Sequence, residues 1–300
     1  MTKGLTGTRE RFQTIVLTKL YTQLEPKALL ELHDDLELYL HTKDPERNDG
    51  LELSLWDMMF YLKVYLSKDI EATVIYNNLR DKFGEHSPNL YLMKVTLLQI
   101  NKNDTVAINF INNSIDQVLE FDTDPYSYLL LSKRLITMQN NVKTNKPDDT
   151  LRHIMELIEK FPIDPELWWY AGEKYFELGL FDQAIYCFEE LVVLMPFNYV
   201  AFAKISEILY LKALKLDKKK IKNNKELFDI VLQEALDNAL RSVELSELYL
   251  KGWTLILLIT KQMNDKKQFF DIARENLDKI TRVSNSSDKI TAEYILNKVN

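Results

Sequence analysis

The segment Pro165–Asn198 constrains the fold of this chain more than any other. It reads Trp168-x-x-Ala171-Gly172-x-x-Tyr175, then Ala184-x-x-x-Phe188, then Pro196. This is the tetratricopeptide pattern of about 34 residues, with Ala171 in the one slot that usually holds leucine. Each slot has a physical reason. Gly172 and Ala184 are small because two helices cross closely there. Trp168, Tyr175 and Phe188 fill the space between them, and Pro196 stops the second helix.

Other units follow in the same frame. One starts near Leu53, with Trp56, Ala72 and Tyr76 in the slots of Trp168, Ala184 and Phe188. The next starts near Pro88, with Tyr91, Val95, Ala107 and Ile111. A third starts at Pro125, with Tyr128, Ser132, Leu135, Ile154 and a terminal Pro162, and its inter-helix turn is longer, through Asn140–Pro147. The unit after Asn198 starts at Tyr199, with Phe202, Ser206, Leu209, Ala235 and Ala239. The last starts near Leu250 and puts Trp253 in the Trp168 slot. Three of the 4 tryptophans therefore share one repeat position.

The expected fold is an all-α tetratricopeptide-repeat (TPR) superhelical solenoid of stacked antiparallel helix pairs. Only 7 glycines and 8 prolines in 300 residues leave too few turn formers for an all-β chain. The solenoid is expected over residues 51–282, with a basic insertion at about 215–225. Residues 1–50 are expected to hold capping helices, near Thr8–Leu24 and Pro26–His41, with a loop over Lys43–Gly50. Residues 283–300 are expected to hold a last capping helix. Solenoids need polar outer ends, and these helices are candidates.

Composition narrows the function classes. The net charge of −7 argues against a nucleic-acid-binding surface over the whole chain. One cysteine, Cys187, allows no internal disulfide and fits a reducing compartment. It reads as a buried small hydrophobe rather than a reactive thiol. The apolar run between Lys251 and Lys261 is far short of the roughly 20 residues a membrane helix needs, and Arg9, Glu10 and Arg11 precede any apolar stretch, unlike a secretory signal.

No catalytic chemistry is expected. His33, His41, His86 and His153 show no metal-ligand spacing with Cys or carboxylate on one helix face, so no metal and no cofactor is expected. Phosphate-binding loops, nucleophile elbows and kinase motifs do not occur. A non-enzymatic protein that holds partners is the consistent reading.

In a TPR solenoid the first helix of each pair lines the concave face. In the best repeat, positions two, five, nine and twelve are Glu166, Trp169, Glu173 and Phe176. An aromatic–acid–aromatic stripe suits a partner segment with apolar anchors and a basic group. The stripe continues as Ser54, Asp57 and Tyr61; Asn89, Leu92 and Thr96; Tyr126, Leu129 and Lys133; and Val200, Ala203, Glu207 and Tyr210. The partner-binding groove is expected at Trp169, Glu173, Phe176, Tyr126, Leu129, Lys133, Ala203, Glu207 and Tyr210. Positions five and nine hold Asp57/Tyr61, Leu129/Lys133, Trp169/Glu173 and Ala203/Glu207. They lack the Lys/Asn/Arg clamp by which chaperone-binding TPR domains hold a C-terminal carboxylate. Lys218, Lys219, Lys220 and Lys222 in the insertion read either as a solvated loop or as a lipid-facing patch.

The run Asp164–Gly179, with Ala184–Leu191 and Pro196–Tyr199, resembles subunit 2 of the endoplasmic reticulum membrane protein complex, as do Tyr76–Gly84 and Asn238–Trp253. The last of these looks like the fungal branch. The resemblance covers Leu53 to Ile259 best. It implies a scaffold subunit, peripheral on the cytosolic face of the endoplasmic reticulum membrane. That complex inserts transmembrane segments, tail-anchored ones included. The implied partners are the other subunits, especially cytosolic segments of membrane subunits 3 and 5, with no transmembrane segment in this chain. The alternative is a soluble TPR adaptor or cochaperone that binds a peptide in its groove.

Overall fold

The computed structural model describes residues 2–84, 87–101, 103–117, 124–141, 147–218, 225–263, 265–283 and 286–299. The described residues form helices joined by short turns, with no strand among them. The chain divides into two compact units, Met1–Lys143 and Thr144–Asn300. The division falls in the long turn of the repeat that starts at Pro125, and Val142–Lys146 lie outside the described residues.

The first unit holds α1 (Thr2–Thr18), α2 (Pro26–His41), α3 (Asp49–Tyr65), α4 (Asp69–Phe83), α5 (Pro88–Asn101), α6 (Asp104–Gln117) and α7 (Pro125–Asn141). The first helix ends at Thr18, before the expected Leu24. Lys19 there takes φ 50°, a left-handed conformation that breaks the helix before a single 3-10 turn at Leu20–Thr22. The expected loop is also shorter. Asn48 accepts from the Leu51 N–H at 2.7 Å and starts α3 at Asp49. The core gathers Phe12, Leu36, Leu55, Phe60, Leu62 and Ala72, all fully buried. Asp44, in the α2–α3 loop, ties α1 to that core. Its 2% exposed carboxylate accepts from Arg9 at 3.1 Å and from the Tyr39 hydroxyl at 2.7 Å. The Tyr39 bond leads in holding its pKa below the ordinary carboxylate value.

The second unit holds α8 (Pro147–Lys160), α9 (Pro165–Glu177), α10 (Phe181–Leu194), α11 (Tyr199–Lys218), α12 (Lys225–Leu245), α13 (Leu250–Thr260), α14 (Lys267–Val283) and α15 (Ser286–Val299). Each helix packs on the next, and α11 also meets α13, as repeated helix pairs require. Asp164 and Asn198 start α9 and α11 by one device: each side-chain oxygen accepts from the N–H three residues on, at 3.0 and 3.1 Å. Gly179 turns the chain between α9 and α10 with φ 74°.

The best repeat is packed as its slots require. Trp168, Ala171, Gly172, Ala184 and Phe188 are buried, and Tyr175 is half-buried. The indole N–H of Trp168 donates to the Pro162 carbonyl at 2.8 Å, and that of Trp253 to the Glu247 carbonyl at 2.6 Å. Both tryptophans are 8% exposed. The repeat position therefore carries one geometry twice: an indole closed over by the turn that leads into its helix.

The described residues on either side of the insertion are helical. There α11 and α12 run to 20 and 21 residues, against 13 and 14 for α9 and α10. Lys215 lies over the Phe181 ring at 3.9 Å from its centroid. Lys218 ends α11, and Lys219, Lys220 and Lys222 lie outside the described residues.

Candidate partner-binding face

The helices α9, α11 and α13 are the first helices of successive repeats, and their side chains meet across one face of the second unit. Trp169 is half-buried and sets its ring edge-on to Phe188, with centroids 5.3 Å apart. Glu173 reaches Lys204 of α11 at 3.1 Å, and Lys204 also sits 3.4 Å from Glu207. Glu207 in turn accepts from Lys251 of α13 at 2.7 Å. The Lys204 ammonium lies 4.4 Å from the centroid of Phe176, which stacks on Phe181 at 6.0 Å. The face is a ladder of alternating charge, Glu173–Lys204–Glu207–Lys251, with Trp169 and Phe176 beside it.

This arrangement differs from the sequence expectation in two ways. Ala203, expected in the groove, is fully buried where α11 packs against α10, α12 and α13. It offers no surface to a partner. The neighbouring Lys204 is the residue that reaches the face. Lys204 and Lys251 were not expected there, although their charges oppose Glu173 and Glu207 on adjacent first helices. That complementarity was the available signal. Tyr210 is half-buried on α11.

Three of the expected groove residues, Tyr126, Leu129 and Lys133, lie in the first unit. Tyr126 is 58% exposed on α7, while Leu129 and Lys133 of the same helix are half-buried. On α3, Asp57 and Tyr61 stand one helical turn apart and half-buried. Burial pushes the Asp57 carboxyl up to about 6, with Lys19 opposing the shift. Burial also raises the phenols of Tyr61 and Tyr21, that of Tyr21 to about 12, and the Asp57 charge adds to both.

Two readings of isolated residues gain geometry. Cys187 is 1% exposed and free, and burial pushes its thiol up to about 12, away from thiolate chemistry. The expectation about histidine spacing needs correction. His33 and Glu37 lie one turn apart on α2, and with Asp34 their donor atoms fall within 4.8 Å of one another. Protein groups already engage them. His33 Nδ1 donates to Asp34 at 2.9 Å, its Nε2 faces the donor-only Lys68 ammonium at 3.3 Å, and Glu37 lies 3.5 Å from Lys63.

Stacked helix pairs whose first helices share one face define a TPR-repeat protein. Solved structures agree on the fold. The C-terminal part of a TPR repeat-containing protein from Cytophaga hutchinsonii superposes with a TM-score of 0.51 at 14% identity, over 95% of this chain and 98% of that one. No family model matches the chain. Among curated proteins, ER membrane protein complex subunit 2 of Saccharomyces cerevisiae is 44% identical over 293 residues, 97% of this chain and 98% of the yeast protein. TPR repeat protein oca3 of Schizosaccharomyces pombe is 22% identical over 245 residues, 80% of this chain and 76% of its own. The chain belongs to the family of ER membrane protein complex subunit 2.

Proposed function

We propose that this chain is a non-enzymatic scaffold subunit of an endoplasmic reticulum membrane protein complex, held peripherally on the cytosolic face of the membrane. The kinship to the yeast subunit, which spans nearly the whole of both chains, is the observation that carries this reading. In this role the protein supports insertion of transmembrane segments, tail-anchored ones included. No described helix is long and apolar enough to cross a membrane, so other subunits supply the membrane anchor. Cytosolic segments of membrane subunits 3 and 5 are the assigned partners.

The face of α9 and α11 is the assigned contact. Trp169 and Phe176 are the apolar anchors, with Glu173, Glu207 and Tyr210 beside them, and Tyr126, Leu129 and Lys133 serve the same purpose on α7. An aromatic ring left partly in water beside charged groups is a typical hot-spot composition. The helices of residues 1–50 and 283–300 cap the repeats of 51–282. The lysines at 218, 219, 220 and 222 are assigned to anionic lipid at the membrane surface.

Membrane flotation tests the reading. The tagged chain, expressed in its own cells, should float with endoplasmic reticulum membranes and leave them after alkaline extraction, as a peripheral protein does. A chain that stays wholly in the soluble fraction would contradict the assignment and favour the free adaptor.

A further inference from the structure

The Trp56 position breaks the repeat geometry in a way that opens a site. Trp168 and Trp253 each stand one turn inside their helices, after Pro165 and Leu250, and each donates its indole N–H to the turn before. The helix of Trp56 starts at Asp49, about one turn earlier relative to its tryptophan. The carbonyl that would match the acceptor of Trp168 belongs to Gly50. It lies inside α3, where it accepts from the Ser54 hydroxyl at 2.9 Å. No described residue accepts from the Trp56 indole.

The outer cover is missing too. The ring of Tyr186 stands edge-on to Trp168, with centroids 6.0 Å apart. The matching position in the first repeat is Val74, which is 53% exposed and has no ring. Two cavities result, of about 440 and about 270 Å³, and Trp56, Ile75 and Asn78 line both. The larger has walls of Leu53, Trp56, Leu79 and Phe83, and Leu53 and Phe83 are 37% and 48% exposed. Its rim holds Asp49 and Glu52 on α3 against Lys82 on α4. Glu52 takes Arg47 at 3.2 Å, and Asp49 has no described ionic partner. Lys82 lies 5.3 Å from the Phe83 ring centroid.

We infer that the Trp56 cavity is a docking site for a segment of a partner protein that inserts an aromatic side chain next to a basic residue. The aromatic ring takes the place that Tyr186 has on Trp168, and a backbone carbonyl of the segment takes the Trp56 indole N–H. The basic residue meets Asp49, an exposed rim carboxylate with no described ionic partner. The larger cavity, at about 440 Å³, falls within the roughly 300–1,000 Å³ of pockets that bury such groups. This site lies on α3 and α4 and does not depend on the role assigned to Trp169.

The test uses the full chain with labelled tryptophan indoles, and assigns the Trp56 N–H signal through Trp56→Phe. The probe is N-acetyl-phenylalanyl-arginine amide. The Trp56 signal should move saturably, with the Trp168 and Trp253 signals unmoved. N-acetyl-phenylalanyl-glutamate amide and N-acetyl-alanyl-arginine amide should bind at least about fivefold more weakly. Asp49→Asn should remove most of the preference for arginine over glutamate. Val74→Tyr restores the ring of the other repeat, so it should abolish the response while keeping or raising the melting temperature. A Trp56 signal that ignores the probe, responds equally to all three amides, or responds unchanged in a folded Val74→Tyr chain would overturn the proposal. A response that depends on protein concentration in place of probe would assign the cavity to a second copy and overturn it equally.

Discussion

The ring of Phe188 occupies the space that a side chain on Gly172 would need. A Cβ at Gly172 would lie 2.7 Å from Phe188 Cε2 and 2.9 Å from Cζ, and Phe188 is fully buried, with Trp169 edge-on to its ring. The same device recurs at Gly252, where a Cβ would meet Ser242 Oγ at 2.5 Å and Val243 Cγ1 at 2.6 Å. Glycine at these points sets the distance at which α9 meets α10 and α12 meets α13.

Gly172→Ala should therefore destabilise the second unit, although alanine is the better helix former by about 1 kcal/mol. The ring cannot withdraw from a filled core, and overpacking of this kind costs roughly 1–3 kcal/mol. Thermal melts of Gly172→Ala and of Gly7→Ala compare the two cases. A Cβ at Gly7 meets nothing within 4 Å, so that variant should melt at or above the parent temperature.

The charge ladder predicts a salt-dependent loss. Lys204 is 13% exposed in its side chain and faces Glu173, Glu207 and the Phe176 ring. Lys204→Met keeps the packing length and removes the cation between Glu173 and Glu207, of which Glu207 keeps Lys251. The expected cost is about 1 kcal/mol at low salt, shrinking at high salt. Equal melting of parent and variant at low ionic strength would show the ladder to be energetically silent.

Asp57 predicts a pH response of definite sign. Its folded pKa of about 6 lies above that of an unfolded aspartate near 3.8. The folded chain thus binds the extra proton between those values, and the Asp57 contribution becomes more destabilising as pH rises through that window. Asp57→Asn should raise stability at pH 7 by about 1–2 kcal/mol and flatten the pH 4–6 limb. Denaturant melts at pH 4, 5, 6 and 7 measure it. The depressed Asp44 acts in the opposite sense: its contribution is complete above the unfolded aspartate pKa and drains as pH falls through its lowered folded value.

The repeat slots were legible because they are local and chemically narrow: Gly172, Ala184 and Phe188 admit few substitutes in a close helix crossing. Helix starts at Pro165 and Tyr199 were legible from the repeat frame, and the end at Thr18 was misjudged, where Lys19 adopts a left-handed backbone that side-chain identity does not announce. The face was half legible. Position nine put Glu173 and Glu207 in the groove, and both join the charge ladder with Lys204 and Lys251, whereas position five put Ala203 there, where it is fully buried. Spacing within one helix gives the angle of a residue, whereas the packing of α10, α12 and α13 around α11 decides which angle stays open. Trp56 shows the same limit. It fills the slot of Trp168 in the sequence, yet the earlier start of α3 removes the carbonyl and turn that would have closed over it.

Trp169 and Trp168 test the central claim as an adjacent pair. Trp168→Ala removes a buried ring and its 2.8 Å bond to Pro162, so it should lower the melting point first, by about 3–5 kcal/mol of stability. Trp169→Ala loses the edge contact to Phe188, worth roughly 0.5–1.5 kcal/mol, and should stay folded. The decisive measurement is affinity purification of tagged parent, Trp169→Ala and Trp169→Phe chains from detergent-solubilised membranes of the native cells, with quantification of co-purified integral membrane subunits. The account predicts that the parent brings down those subunits, that folded Trp169→Ala recovers them at least about tenfold less well, and that Trp169→Phe recovers them substantially. A parent chain that brings down no integral membrane protein, or a folded Trp169→Ala chain that assembles like the parent, would contradict it.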